Sequence, residues 1–354
     1  MLIATLKNTK AKNVDLQEYF AKNSLQIDPL EYFDITGKNG WFLGSKAEFK
    51  LKQKIEQNGK PLKDWDVKIN YGIKTGLNEA FIIDENKKNE LIAKDPKSAE
   101  IIKPILRGRD IKRYGYEFAN LYVIATFPAL HLNIDDYPAV RDYLLDFGKD
   151  RLEQAGKTLA NGTKSRKKTG NKWFETQDQI GYFAEFEKEK VVYSEIVREP
   201  QFYLDKSGDF FAEATTFLMT GENMKFFCGL LNSKPFTYFF KNYYAGGGLG
   251  ETGYRYKKVF LENVPIPILN TPEKQQIAGQ IELLVEEILA VKNLPLTKGS
   301  NSQSLGVNNI EPQSATQTAP LKGAMDTTSL EAKIDELIFE LYGLTSEEIS
   351  VIKK

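Results

Sequence analysis

The run Asp66-Val67-Lys68-Ile69-Asn70-Tyr71-Gly72-Ile73-Lys74-Thr75-Gly76-Leu77-Asn78-Glu79-Ala80-Phe81-Ile82-Ile83-Asp84 decides how the chain is read. Val67, Ile69 and Tyr71 alternate with Lys68 and Asn70, the period of two of a half-buried strand. Ala80 to Ile83 is a second apolar run able to pair with it, so the expectation is a hairpin. Gly72 and Gly76 tolerate positive φ, which lets the connection turn sharply and present Lys74, Thr75 and Asn78 to solvent. Those side chains suit contacts with phosphates and base edges. A nucleoside-triphosphate loop is excluded, because that motif needs glycine directly before the lysine and another five residues earlier; Ile73 and Lys68 stand there.

Three further stretches concentrate positive charge. After the short apolar run Glu100 to Leu106 come Arg107, Arg109, Lys112 and Arg113, joined by Lys103 and opposed only by Asp110, a pattern suited to phosphate contact. Between Glu153 and Glu175 there is no acidic residue, while Lys157, Lys164, Arg166, Lys167, Lys168 and Lys172 occur among Gly156, Gly162 and Gly170. A glycine-punctuated loop of this kind can follow a groove and displace counterions, and it is the best electrostatic candidate in the chain. Gly246, Gly247, Gly248, Gly250 and Gly253 precede Arg255, Lys257 and Lys258. The last three of these glycines have the spacing of a dinucleotide-binding motif, but they follow an aromatic helical run instead of a strand, so a loop delivering cations fits better.

Taken in order, the first stretch, then Ser98 to Tyr114 with Ile105-Leu106-Arg107-Gly108-Arg109-Asp110-Ile111, then Lys190-Val191-Val192-Tyr193-Ser194-Glu195, Leu231-Asn232-Ser233-Lys234 and Leu261-Glu262-Asn263-Val264-Pro265-Ile266-Pro267 resemble a known family. It is the TaqI-like C-terminal specificity domain of bacterial adenine-specific DNA methyltransferases and type IIG restriction-modification enzymes, and the similarity runs from roughly Trp41 to Ile268. The resemblance implies recognition of a DNA target, with methyl transfer performed elsewhere. It also implies that S-adenosylmethionine belongs to a catalytic domain or subunit that partners this chain on double-stranded DNA.

The 48 basic and 48 acidic residues leave no net charge, so any DNA face must come from the local concentrations above. One cysteine, Cys228, in the apolar run Met224 to Leu231, fits a reducing cytoplasm and a place in the core. No run approaches the roughly 20 apolar residues that span a bilayer, so a soluble, cytoplasmic protein is expected. With one histidine, His131, neither a common zinc site nor a Ser/His/Asp set can be nominated.

Tyr122 to Phe127, Val191 to Ile196 and Thr215 to Thr220 read as strands, Gln201 to Leu204 and Phe210-Phe211 as strands flanking a turn, and Lys87 to Lys97 as a polar loop. Helices are expected over Ala47 to Gln57, Tyr137 to Leu145, Asn223 to Leu231 and Pro235 to Tyr244. The expected fold class is α+β, an antiparallel-rich mixed sheet with flanking helices and C-terminal amphipathic helices. Residues 1 to 40 read as a connecting arm and 41 to 270 as the DNA target-recognition domain; 271 to 297 form an amphipathic helix capped by Thr271, with Pro272 in its first turn. Lys298 to Thr328, rich in Ser, Asn, Gln and Thr, reads as a disordered linker, and 329 to 354 as a C-terminal helix.

No site of catalysis is legible. An adenine methyltransferase needs an Asn-Pro-Pro-Tyr or Asp-Pro-Pro-Tyr tetrapeptide to hold a flipped base, and the sequence contains neither. Two alternatives stand beside target recognition: an endonuclease subunit using Asp34, Glu48 and Lys50, and an interaction scaffold docking through its terminal helices.

Overall fold

The computed structural model describes residues 45–245, 253–292 and 326–353, together with the backbone of the antiparallel pair Leu2–Ala4 and Ser24–Gln26. The rest of the expected arm, Asp34, the glycines from 246 to 250 and the expected linker as far as 325 lie outside the described residues.

Eight strands form two four-stranded sheets. In chain order they are β1 (Val67–Tyr71), β2 (Ile82–Asp84), β3 (Ile102–Leu106), β4 (Leu121–Ile124), β5 (Lys190–Ser194), β6 (Phe202–Asp205), β7 (Phe211–Ala212) and β8 (Thr216–Gly221). The first sheet has the order β6-β5-β8-β1 and is antiparallel throughout; the second has the order β7-β3-β4-β2, with only β7 and β3 parallel. The fold is therefore α+β with antiparallel-rich sheets.

The period of two explains the layering. Val192, Tyr203 and Leu218 of the first sheet share a core with Ile105, Val123 and Phe211 of the second, so these faces pack together. The alternate residues of the first sheet, Val191, Tyr193, Phe202, Leu204, Phe217 and Met219, face helices. Those of the second, Ile83, Ile102, Tyr122 and Ile124, pack with Leu91, Val140 and Leu144 of the helices Glu85–Lys94 and Pro138–Leu145. The order of layers is helix, sheet, sheet, helix.

The expected hairpin is not formed. β1 pairs with β8, from Val67 opposite Gly221 to Tyr71 opposite Phe217, while Asn78–Phe81 is one helical turn and β2 pairs with β4. Gly72 serves close approach, because a Cβ there would lie 2.0 Å from the Glu213 carbonyl oxygen. The chain thus crosses from one sheet to the other at Ile73, which bridges Glu213 in parallel. Nor is Lys87 to Lys97 a loop. Glu85–Lys94 is a helix started by Asp84, whose carboxylate accepts from the Lys87 N–H at 2.8 Å; with Leu91 its one buried side chain, it has no apolar stripe to betray it.

Helix Pro272–Lys292 begins where Thr271 Oγ1 accepts from the Lys274 N–H at 3.3 Å, and its Ile281, Val285 and Ile288 share the first core with Ile334 and Ile338 of helix Thr328–Leu341. The C-terminal helix expected from residue 329 ends at Gly343, at φ +65°, the glycine the sequence offered as its stop, and a second short helix, Ser346–Ile352, follows it. Among the described residues no helix is long and apolar enough to cross a membrane.

Lys190, from one of the family-like motifs, is fully buried: its ammonium donates to the Phe186 carbonyl at 2.6 Å and to the Asp205 carboxylate. Asp205 also accepts from the N–H groups of Asp209 and Phe210, so the pair ties β5 to the turn after β6.

Candidate nucleic-acid interface

Two stretches that are separate in sequence meet through Arg166. Its side chain is 4% exposed, against the expectation of a phosphate contact. Nε donates to the Leu152 carbonyl at 2.8 Å, Nη1 to those of Thr75 at 2.9 Å and Glu175 at 2.8 Å, and Nη2 to that of Trp173 at 2.6 Å. The guanidinium also lies over the Phe81 ring, 4.9 Å from its centroid. Burial pulls its pKa down to about 10, with Glu153 and Glu175 opposing, so it stays charged at neutral pH while carbonyl oxygens replace its water. A residue with every donor group spent this way holds loops together.

What it holds is the crossing after β1. The Gln177 N–H donates to the carbonyls of Lys74 and Thr75, at 3.1 and 3.2 Å, stitching the same two stretches again. Thr75 is fully buried, contrary to the expectation that it faces solvent. Its hydroxyl donates to Asn78 Oδ1 at 2.6 Å and accepts from the Leu77 N–H at 3.2 Å, so it shapes the turn. Lys74 and Asn78 are exposed on that turn. Across Gly156 to Gly170, Lys157, Lys164, Lys167 and Lys168 are all exposed, and their ammonium groups have no partner among the described residues. Lys172 is also exposed and lies 3.9 Å from Glu175.

The next turn is continuous with these. Asn78 Nδ2 approaches Glu213 Oε1 at 3.5 Å, Glu213 Oε2 accepts from Thr215 Oγ1 at 2.9 Å, and Thr215 Oγ1 in turn faces the Gly108 N–H at 3.4 Å. Gly108 lies in Arg107-Gly108-Arg109-Asp110. Arg109 is exposed, and its guanidinium makes no hydrogen bond or ion pair among the described residues. Arg107 grips Asp110 side-on, Nε to Oδ2 at 2.8 Å and Nη2 to Oδ1 at 2.7 Å, and Oδ2 also accepts from the Arg107 N–H at 2.9 Å. Burial raises the pKa of Asp110, but these bonds outweigh it and hold the carboxyl below its ordinary value. Beyond, Glu195 donates its N–H to the Thr215 carbonyl, and Arg255, paired across strands with the 56% exposed Ile196, has Nη1 4.0 Å from Glu195 Oε1.

The remaining predicted cations are otherwise engaged. Arg113 donates through Nε to Glu331 of helix Thr328–Leu341 at 2.6 Å, which ties it to the C-terminal helices. Lys112 donates to the Arg109 carbonyl at 3.0 Å and lies 3.3 Å from Glu117. Lys258 Nζ donates to the Ile69 carbonyl on the unpaired edge of β1 at 3.0 Å, and Lys257 sits over Phe260. Lys103, half-buried, lies 3.6 Å from Glu187. Glu48, considered above for nuclease chemistry, caps its own helix by accepting from the Ser45 N–H at 2.6 Å.

One residue sequence reasoning missed is Tyr71. Strand parity groups it with buried Ile69, yet at the strand end it is 52% exposed, its ring 4.9 Å from that of Phe217.

The two-sheet α+β unit thus carries exposed cations on adjoining turns, two of them fixed to each other by the buried Arg166. Residues 103–266 match the family model of the TaqI-like C-terminal specificity domain, the family that the motifs of this segment resemble. Among solved structures, the chain is similar to the type IIL restriction-modification enzyme MmeI, solved in complex with DNA, with a TM-score of 0.52 and 15% identity over 83% of this chain and 35% of that one. It also matches the type IIG restriction endonuclease BpuSI, with a TM-score of 0.44 and 13% identity over 84% of this chain and 33% of that one. The chain thus spans about a third of the length of either enzyme. A comparison with curated proteins gave no match.

Proposed function

We propose that this chain recognises the DNA target of a restriction-modification enzyme, holding duplex DNA against the turns at 74–78, 107–110 and 157–168. The family match supports specificity as the role, and MmeI, which shares the fold, was solved with DNA. The observation that carries the reading is Arg166: one buried guanidinium fixes the turn bearing Lys74 and Asn78 against the loop bearing Lys164, Lys167 and Lys168. Phosphate contacts give affinity and register, while side chains on rigid turns reach base edges.

We further propose that the reaction served is adenine methylation, performed with S-adenosylmethionine by a methyltransferase domain or subunit that partners this one. The sequence resemblance supports this.

The test is binding of the full chain to duplexes carrying a randomised segment, followed by selection and sequencing, with affinity measured across a salt series. Enrichment of one defined motif, and a log affinity that falls linearly with log salt, are expected. Binding with no motif enriched would overturn the recognition role. A methyltransferase partner that modified the same sites with and without this chain would overturn the division of labour.

A further inference from the structure

Resting on the DNA reading above, we infer that Arg107 reads guanine: its guanidinium is a base-contacting group, distinct in role from the phosphate-contacting lysines around it. The Asp110 carboxylate takes the Nε–Nη2 edge of the guanidinium and is itself buried at 4% exposure. That leaves the Nη1–Nη2 edge. Nη1 has no partner among the described residues, and it is absent from the buried unpaired atoms, so it reaches solvent from a side chain 22% exposed. Two parallel N–H donors at a fixed spacing match O6 and N7 of guanine in the major groove.

The fork is also rigid, which a phosphate contact does not require. The Arg107 N–H donates to the same carboxylate, fixing backbone and side chain together. Gly108 then brings the turn so close to the end of β5 and the residue before β8 that a Cβ would lie 2.8 Å from Ser194 Oγ and 3.0 Å from Thr215 Oγ1. Rotamer freedom that an unheld arginine would lose on binding is already lost here, so more of the contact energy is available for discrimination. Arg109, next but one and unheld, is the complementary element: an exposed cation suited to a phosphate.

The experiment compares the wild-type chain with Arg107→Lys in the randomised-duplex selection. The lysine keeps the charge and loses the fork. The expected result is a motif that becomes degenerate at one G·C position and keeps the others, with affinity for the wild-type motif lowered roughly 5- to 160-fold and an unchanged salt slope. Replacing that guanine by 7-deazaguanine, which removes N7, should weaken the wild type and leave Arg107→Lys unaffected. An unchanged motif, or equal weakening on every duplex, overturns the assignment while leaving target recognition intact. A wild-type chain without salt-dependent duplex binding overturns both.

Discussion

Arg166 donates to the carbonyl oxygen of Thr75 at 2.9 Å across 91 residues of sequence, and both residues are buried. Two of the stretches marked out for DNA contact are therefore one structural unit, held by residues that are themselves buried. Removing either changes where Lys74 and Asn78 stand.

Arg166→Ala should thus behave as a core lesion. It strands the carbonyls of Leu152, Thr75, Trp173 and Glu175 and empties the space over Phe81, so a loss of about 3 kcal/mol or more is expected from a lowered denaturation midpoint. At a temperature where the variant stays folded, its salt slope should match the wild type. A slope reduced by about 1 with unchanged stability would make Arg166 a phosphate contact after all.

On the proposed reading, the electrostatic load falls on the exposed lysines. Replacing Lys164, Lys167 and Lys168 together by alanine should weaken binding to specific and non-specific duplexes alike, flattening log affinity against log salt by up to roughly 3 if all three touch phosphate. Stability should change little, since these side chains have no partners among the described residues to lose. An unchanged slope would remove this loop from the interface and leave Arg109 and Arg255 as the cations to examine.

How much of this was legible follows from what each residue answers to. β4, β5 and β8 show in the sequence because they are continuous apolar runs buried on both faces, and helix Pro272–Lys292 shows because one stripe of it is apolar. The partner of β1 did not show. Val67 to Tyr71 is a strand by its alternation, but pairing with Thr216–Gly221 is a long-range fact, and the nearby run at Ala80 offered a shorter loop that local reasoning prefers. Composition likewise marked the loop from Lys157 to Lys172 as cationic without separating Arg166 from Lys167. Only the fold, which turns one inward over Phe81 and leaves the other in solvent, tells them apart.

Lys190→Ala should be among the most damaging single changes in the two-sheet core. It leaves the Asp205 carboxylate, 1% exposed, without its cation, and breaking such a buried pair from one side costs about 3 to 5 kcal/mol. A chemical denaturation curve checks this. Asp205 would keep the N–H groups of Asp209 and Phe210, so Lys190→Met, which fills the space but not the charge, should be damaging too. If Lys190→Met were as stable as the wild type, the pair would contribute packing alone.

The turn that bears Arg107 should carry its own dependence on pH. The folded protein holds the Asp110 carboxyl below its ordinary value of 3.8, so folding favours the ionised form. Stability from this group is fully present above the unfolded value near 4 and is lost as pH falls through the lower, folded value. Asp110→Asn removes the charge at every pH, and the bonds it weakens are charge-assisted, so the variant should be less stable by about 1.5 to 3 kcal/mol at pH 7. That gap should narrow steadily below about pH 4, as protonation makes the wild type resemble the variant. Paired denaturant titrations at pH 7, 5, 4 and 3 measure it. A gap that stayed constant over this range would mean that the carboxylate holds Arg107 by shape without contributing charge, and Asp110→Asn should then leave base discrimination by Arg107 intact.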